Sequence, residues 1–142
     1  MAQPIVYGVA DASYQAAGGL EGVQRLSAAF YRLMDELPEA AQLRSMHGPD
    51  LALIQDKLAC FLCGWLGGPR FFSEKYGPIS IPAFHAKWPI GDNLRHSWLL
   101  CMEQAIAEQP YTPEFAEYLL RQLRIPAERI VQASSARHSR VD

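Results

Sequence analysis

The sequence predicts an all-α fold of four principal helices broken by one long irregular segment, and three observations carry that expectation. Apolar residues recur at alternating steps of three and four in successive stretches. Proline and glycine breakers end those stretches. Between Gly67 and Gly91 there are four prolines and little periodicity.

Residues 1–17 read as an N-terminal extension with a short helix, 18–133 as the single domain, and 134–142 as a disordered tail. In the first long stretch Val23, Leu26, Phe30, Leu33 and Leu37 fall on one helix face, and Pro38 ends it. A second stripe, Leu51, Ile54, Leu58, Phe61 and Trp65, has the same spacing and stops at Gly67-Gly68-Pro69. The 67–91 segment is irregular or briefly helical, and long loops inside compact domains tend to be functional. A third helix starts near Asp92 or Asn93, either able to cap it, and carries Leu94, Trp98, Cys101 and Ala105 inward. The last opens at Thr112-Pro113-Glu114, a cap, a first-turn proline and a first-turn acid. Pro126 makes it either one kinked helix or two that meet there.

With 142 residues, 49% hydrophobic and 20% charged, the chain is long enough to bury a sizeable core. A formal net charge of −2 and no run of Lys or Arg argue against nucleic-acid binding. No apolar run approaches the ~20 residues of a membrane span, and the amino terminus lacks a basic-then-apolar leader, so a cytoplasmic protein is expected. Cys60 and Cys63 have a Cys-x-x-Cys spacing, but only Cys101 remains to complete a zinc site and the pair lies mid-helix, where a reactive dithiol is disfavoured. They read as small core hydrophobes, without structural disulfides.

The residue that carries most chemistry is His85, in the segment Ala83-Phe84-His85-Ala86-Lys87-Trp88-Pro89-Ile90-Gly91. An imidazole beside Phe84, Trp88 and Ile90 has few polar neighbours in sequence to account for it. It is either an iron ligand or a histidine satisfied in the core or at the surface, and local sequence leaves both open.

Phe30-Tyr31, the run from Phe61 to Gly77, His85, and Trp98-Leu99-Leu100-Cys101-Met102, in this order and spacing, resemble the group II truncated haemoglobins over residues 18–105, and more weakly through the last helix. The resemblance implies a truncated-globin two-over-two helical sandwich, with the irregular loop before the proximal histidine, around haem b (iron protoporphyrin IX), and His85 as the iron ligand. Tyr31 and Trp98 would donate hydrogen bonds to bound O2, stabilising charge that ferrous iron shifts onto it. Outside that role Tyr31 is an amphipathic-helix residue with its hydroxyl in water, and Trp98 a core residue. His47 would be a third distal donor or a swinging base, against the reading of an exposed loop histidine. Ile54 and Leu58 would form an apolar distal wall, and Phe61, Phe72, Phe84, Trp88 and Ile90 further apolar lining.

The chain departs from the family pattern in places. Ile81-Pro82-Ala83-Phe84 stands where many members carry arginines for the haem propionates, leaving Lys87, Arg70 or Arg95 as cationic partners. Phe72 replaces a usual tyrosine, and His96 a usual aspartate.

Three functions are consistent with the sequence. The first is tight, slowly released O2, with CO, NO or peroxide as other ligands, in O2 or reactive-species chemistry rather than bulk transport. Each distal hydrogen bond is worth on the order of 1 kcal/mol, so two or three slow release roughly ten- to hundredfold. The second is a peroxidase or a nitric oxide or peroxynitrite scavenger with His47 as base, supplied by an unknown reductase. The third is a haem-free interaction module, favoured by the missing arginines and opposed by retention of His85, Tyr31 and Trp98. A monomer and a homodimer are both compatible with the sequence.

Overall fold

The computed structural model describes residues 6–138, and all its regular elements are helical. Helix α1 (Ala12–Ala16) lies against the end of a later helix, its Tyr14 amide donating to the Leu66 carbonyl at 3.1 Å. Helix α2 (Gly19–Glu36) carries the first stripe as expected: Val23, Leu26, Phe30 and Leu33 are buried. Leu37, just before Pro38, takes the extended backbone that a following proline imposes. A 3-10 turn (Pro38–Ala40) then leads into α3 (Ala41–Ser45), a pair of short elements without a stripe to announce them.

Helix α4 (Ala52–Trp65) has two unlike faces. Ala59, Cys60, Leu62 and Cys63 are its buried side, continued by Leu66, whereas the larger stripe residues Leu51, Ile54, Leu58, Phe61 and Trp65 pack on the core but stay partly exposed. The turn after α4 needs its glycines. Gly67 has φ +91°, and a Cβ on Gly68 would stand 2.5 Å from the Tyr14 ring. The N-terminal segment therefore seats directly on the backbone of this turn. All three cysteines are buried and free, and burial pushes the Cys63 and Cys101 thiols up to about 11, which fits their reading as small hydrophobes.

The irregular segment contains two short helices, α5 (Phe71–Tyr76) and α6 (Ile81–His85). Helix α7 (Asp92–Ala107) starts where expected, but neither Asp92 nor Asn93 caps it. Gly91 holds the cap position, and Asp92 instead pairs with Arg95 at 3.2 Å in the first turn. Leu94, Cys101 and Ala105 are buried, and Trp98 is partly buried.

Helix α8 (Pro113–His138) is capped by Thr112, whose hydroxyl accepts the Phe115 amide at 3.2 Å. Of the two expectations for Pro126 the single helix holds. Its missing N–H removes one backbone bond, yet the helix continues past it to His138. The expected disordered tail is therefore corrected for 134–138, while 139–142 lie outside the described residues, as do 1–5 of the N-terminal extension. The reason is Ser134, 1% exposed, which donates to the Trp88 carbonyl at 2.5 Å and accepts the Ile90 amide at 2.7 Å. Polar composition suggested disorder, but this hydroxyl is a satisfied core group.

Helices α2 and α4 form one pair, α7 and α8 the other, and α2 packs on α7 to join them as a two-over-two sandwich. Phe30, Met34, Leu62, Met102, Phe115 and Leu119 are fully buried at its centre. Each such side chain contributes roughly 1.5–3 kcal/mol of burial. Helix α6 packs against α8, which places His85 beside the sandwich rather than within it.

Candidate functional site

His85 is the last residue of α6, and its Nδ1 lies 2.8 Å from the Ile81 carbonyl oxygen. A carbonyl only accepts, so Nδ1 carries the proton and Nε2 is left with its lone pair. Burial holds the His85 pKa below 6.5, partly opposed by the Ile81 bond, with His47 and Lys87 lowering it further. A neutral imidazole with one free nitrogen and an oriented ring is the form that binds a metal ion. Phe84 and Trp88 flank it, with ring centroids 5.3 and 6.3 Å away. The chain just beyond, at Trp88 and Ile90, is pinned to α8 by Ser134.

A second set of polar groups gathers around Phe30. Its ring meets Tyr31 at 4.9 Å and Trp98 at 5.2 Å, and Tyr31 in turn meets His47 at 6.1 Å. Tyr31 is 6% exposed, and burial raises its phenol pKa well above 10.0, so it remains a protonated donor. Its hydroxyl, the Trp98 indole N–H, and Nε2 of both His47 and His85 make no hydrogen bond to another described residue. None of these atoms is sealed from solvent, so all four are open to water or to an external ligand. His47 lies near enough for a charge on it to lower the His85 pKa.

Nδ1 of His47 lies 3.0 Å from the Leu43 carbonyl, which must accept, so the neutral ring presents an acceptor at Nε2 and the charged ring a donor. Its role as a base is compatible with this geometry.

The large apolar side chains expected to line the site are partly exposed. Ile54, Leu58, Phe61 and Ile90 pack on the core while partly exposed, and Phe61 meets Phe72 at 6.4 Å. Phe84 and Trp88 are 38% and 39% exposed. Among the three cations expected to meet carboxylates, Arg95 is paired with Glu128 and Asp92. Lys87 lies over the Phe84 ring at 4.2 Å with no ion pair among the described residues, and Arg70 has none either.

No group of three or more His, Cys, Asp or Glu side chains among the described residues could hold a metal ion alone. A single imidazole with a partly exposed apolar wall instead fits a metal that arrives inside a flat, largely apolar macrocycle. Sequence reasoning missed Ser134 and Arg44. Arg44 reaches the carbonyls of His47 and Gly48 at 3.3 and 3.0 Å, and its only signal was an arginine just before the Gly48-Pro49 break.

The family model described as bacterial-like globin matches residues 12–131. The chain belongs to the bacterial-like globins. It is 29% identical over 126 residues to the group 2 truncated hemoglobin YjbI of Bacillus subtilis, covering 89% of this chain and 92% of that one. Among solved structures it is similar to the group II 2-on-2 hemoglobin of Agrobacterium tumefaciens, at 35% identity and TM-score 0.79, covering 92% of this chain and 97% of the other. It is also similar to a truncated oxygen-avid haemoglobin from Bacillus subtilis, at 29% identity and TM-score 0.76, covering 84% and 98%. The fold is thus that of a group II truncated haemoglobin, a family of haem-binding globins that take small gaseous ligands. No helix among the described residues is long and apolar enough to cross a membrane.

Proposed function

We propose that this globin binds haem b through Nε2 of His85 and holds O2 tightly with slow release, for O2 or reactive-species chemistry rather than bulk transport. The observation that carries the proposal is the set of unpartnered polar atoms on Tyr31, Trp98, His47 and His85 beside an apolar wall. A bound haem supplies an iron centre that takes diatomic ligands and exchanges electrons. The chain supplies the rest.

The Ile81 carbonyl orients His85, and Ser134 steadies the chain beyond it. Ile54, Leu58, Phe61, Phe72, Phe84, Trp88 and Ile90 exclude water from the macrocycle faces. Lys87 and Arg70, which have no ion pair among the described residues, are the readiest of the three cations to meet its carboxylates. Tyr31 and Trp98 donate to the ligand, and each such bond slows dissociation roughly fivefold. Support also comes from the similar Bacillus subtilis protein, which is described as oxygen-avid.

The test is an absorption spectrum of the purified protein, ferric and then reduced under CO, for wild type and His85→Gly with and without imidazole. An intense Soret band that shifts with CO, weakens in the variant and returns with imidazole is expected. No stoichiometric haem uptake would overturn the assignment and favour the haem-free interaction module.

One observation favours a second reading, peroxide or nitric oxide turnover. Nε2 of neutral His47 is an acceptor, the form a general base requires. Peroxide turnover, sustained by a reductase, that collapses in His47→Ala is expected on this reading, and equal rates would remove it.

A further inference from the structure

We propose that Arg44 is a positioning residue that sets the orientation and tautomer of His47. This rests on the reading above only in taking His47 to face the ligand.

His47 follows α3, and both of its main-chain polar groups are tied to Arg44. Its amide donates to the Arg44 carbonyl at 3.0 Å, and its carbonyl accepts from the Arg44 guanidinium at 3.3 Å. The same guanidinium reaches the Gly48 carbonyl at 3.0 Å and the Pro49 carbonyl at 3.5 Å, while Nε donates to Asp35 on α2 at 3.0 Å. Asp35 stands one helical turn beyond Tyr31 on that helix, so the distal loop and the Tyr31 helix share one anchor.

The alternatives for this segment are few. Gly48, Pro49 and Asp50 are exposed, and the carbonyls of His47, Gly48 and Pro49 have no other partner among the described residues. Gly48 adds no side chain to restrict its backbone. A planar guanidinium can bind several acceptors at once in fixed directions, which a lysine ammonium does not reproduce. The Asp35 side chain is mostly in solvent, which weakens that pair, whereas Arg44 is largely covered and bonds from a charged donor to carbonyls are stronger than neutral ones.

Held in this way, the His47 ring lies against the Leu43 carbonyl, which fixes the proton on Nδ1 of the neutral ring and leaves Nε2 as its acceptor, on a ring centred 6.1 Å from that of Tyr31. A histidine freed from that contact shifts toward the alternative tautomer and presents a donor at Nε2 instead. Arg44 thereby selects between base and donor character at His47 without touching the ligand.

The experiment is 15N NMR of the histidine side chains, with amide hydrogen exchange, on wild type, Arg44→Met and Arg44→Lys in the reduced, CO-bound state. Wild type is expected to show His47 protonated at Nδ1. In Arg44→Met the Nε2-protonated form should appear, the His47–Tyr31 ring contact should weaken, and exchange at the His47 amide should speed up by roughly tenfold. Arg44→Lys should be intermediate.

The CO stretching band should move in Arg44→Met but not when His47→Ala is already present. An unchanged His47 tautomer in Arg44→Met overturns the proposal, whether or not the melting temperature falls. So does a CO shift that persists in full without His47. Should Arg44→Met fail to fold, wild-type tautomer and exchange in Arg44→Lys would overturn it. If wild type takes up no haem the proposed function fails, while tautomer and exchange in the haem-free protein still decide the role of Arg44.

Discussion

Replacing Ser134 by alanine is expected to lower stability by about 2 kcal/mol, far more than a serine in a polar C-terminal segment would ordinarily be worth. The hydroxyl is a two-way bridge, donating to the Trp88 carbonyl and accepting the Ile90 amide, in a residue that is 1% exposed. Alanine keeps the helix and nearly the same volume, so the perturbation is confined to those two bonds. Each neutral hydrogen bond is worth about 0.5–1.5 kcal/mol net, and an orphaned buried group costs about 1–3. Trp88 is 39% exposed, which lets water reach its carbonyl in part, so a value near the lower end is appropriate for that group. For a chain of this size about 2 kcal/mol corresponds to a melting temperature lower by roughly 6–8 °C.

The assay is thermal and urea unfolding of wild type and variant at matched haem content, with haem loss to an excess of scavenger protein followed in parallel. Haem loss should accelerate because the loosened segment begins three residues after His85. A change below about 0.5 kcal/mol with unaltered haem loss would refute the bridging role.

Three further outcomes are expected. Tyr31→Phe removes a donor that has no protein partner, so O2 dissociation should speed up by roughly fivefold or more in stopped-flow displacement, and an unchanged rate excludes Tyr31 from ligand contact. Phe30→Ala deletes a fully buried ring that contacts both Tyr31 and Trp98, and should cost about 3–5 kcal/mol in urea unfolding while also disturbing the CO spectrum; a normal spectrum would argue that Phe30 does not position its neighbours. The Tyr76 hydroxyl, and then Lys75, hold the Asp56 carboxyl below its ordinary 3.8, so this contribution is present above that pH and is lost as pH falls through the lower folded value. Asp56→Asn should therefore melt lower than wild type at pH 7, with the gap closing below about pH 3.8, and a gap independent of pH would refute the ionic origin.

The helices were legible wherever one periodic signal and one breaker agreed. The α2 stripe closed by Pro38, the α4 stretch closed by Gly67-Gly68, and the Thr112 cap of α8 all lie where the sequence indicates. What was not legible depends on partners distant in sequence. Asp92 looks like a cap but pairs with Arg95, and Ser134 looks like tail but bonds residues more than forty positions earlier. The candidate site shows the same division. His85, Tyr31 and Trp98 could be named from resemblance, yet that His47 presents an acceptor depends on where the Leu43 carbonyl points. Composition likewise could not reveal that Arg95 is already paired with Glu128.

The two faces of α4 bear on how such a protein changes over evolutionary time. Its interior is built from small and medium residues, Ala59, Cys60, Leu62 and Cys63, while the bulkier Ile54, Leu58 and Phe61 stand on the partly exposed side. Exchanging one of the latter opens no sealed cavity, so its effect on folding is milder than that of a core substitution of equal volume. Selection can therefore reshape what one side of the helix admits while the other keeps the sandwich assembled, and specificity and stability become separately heritable traits of a single fourteen-residue element.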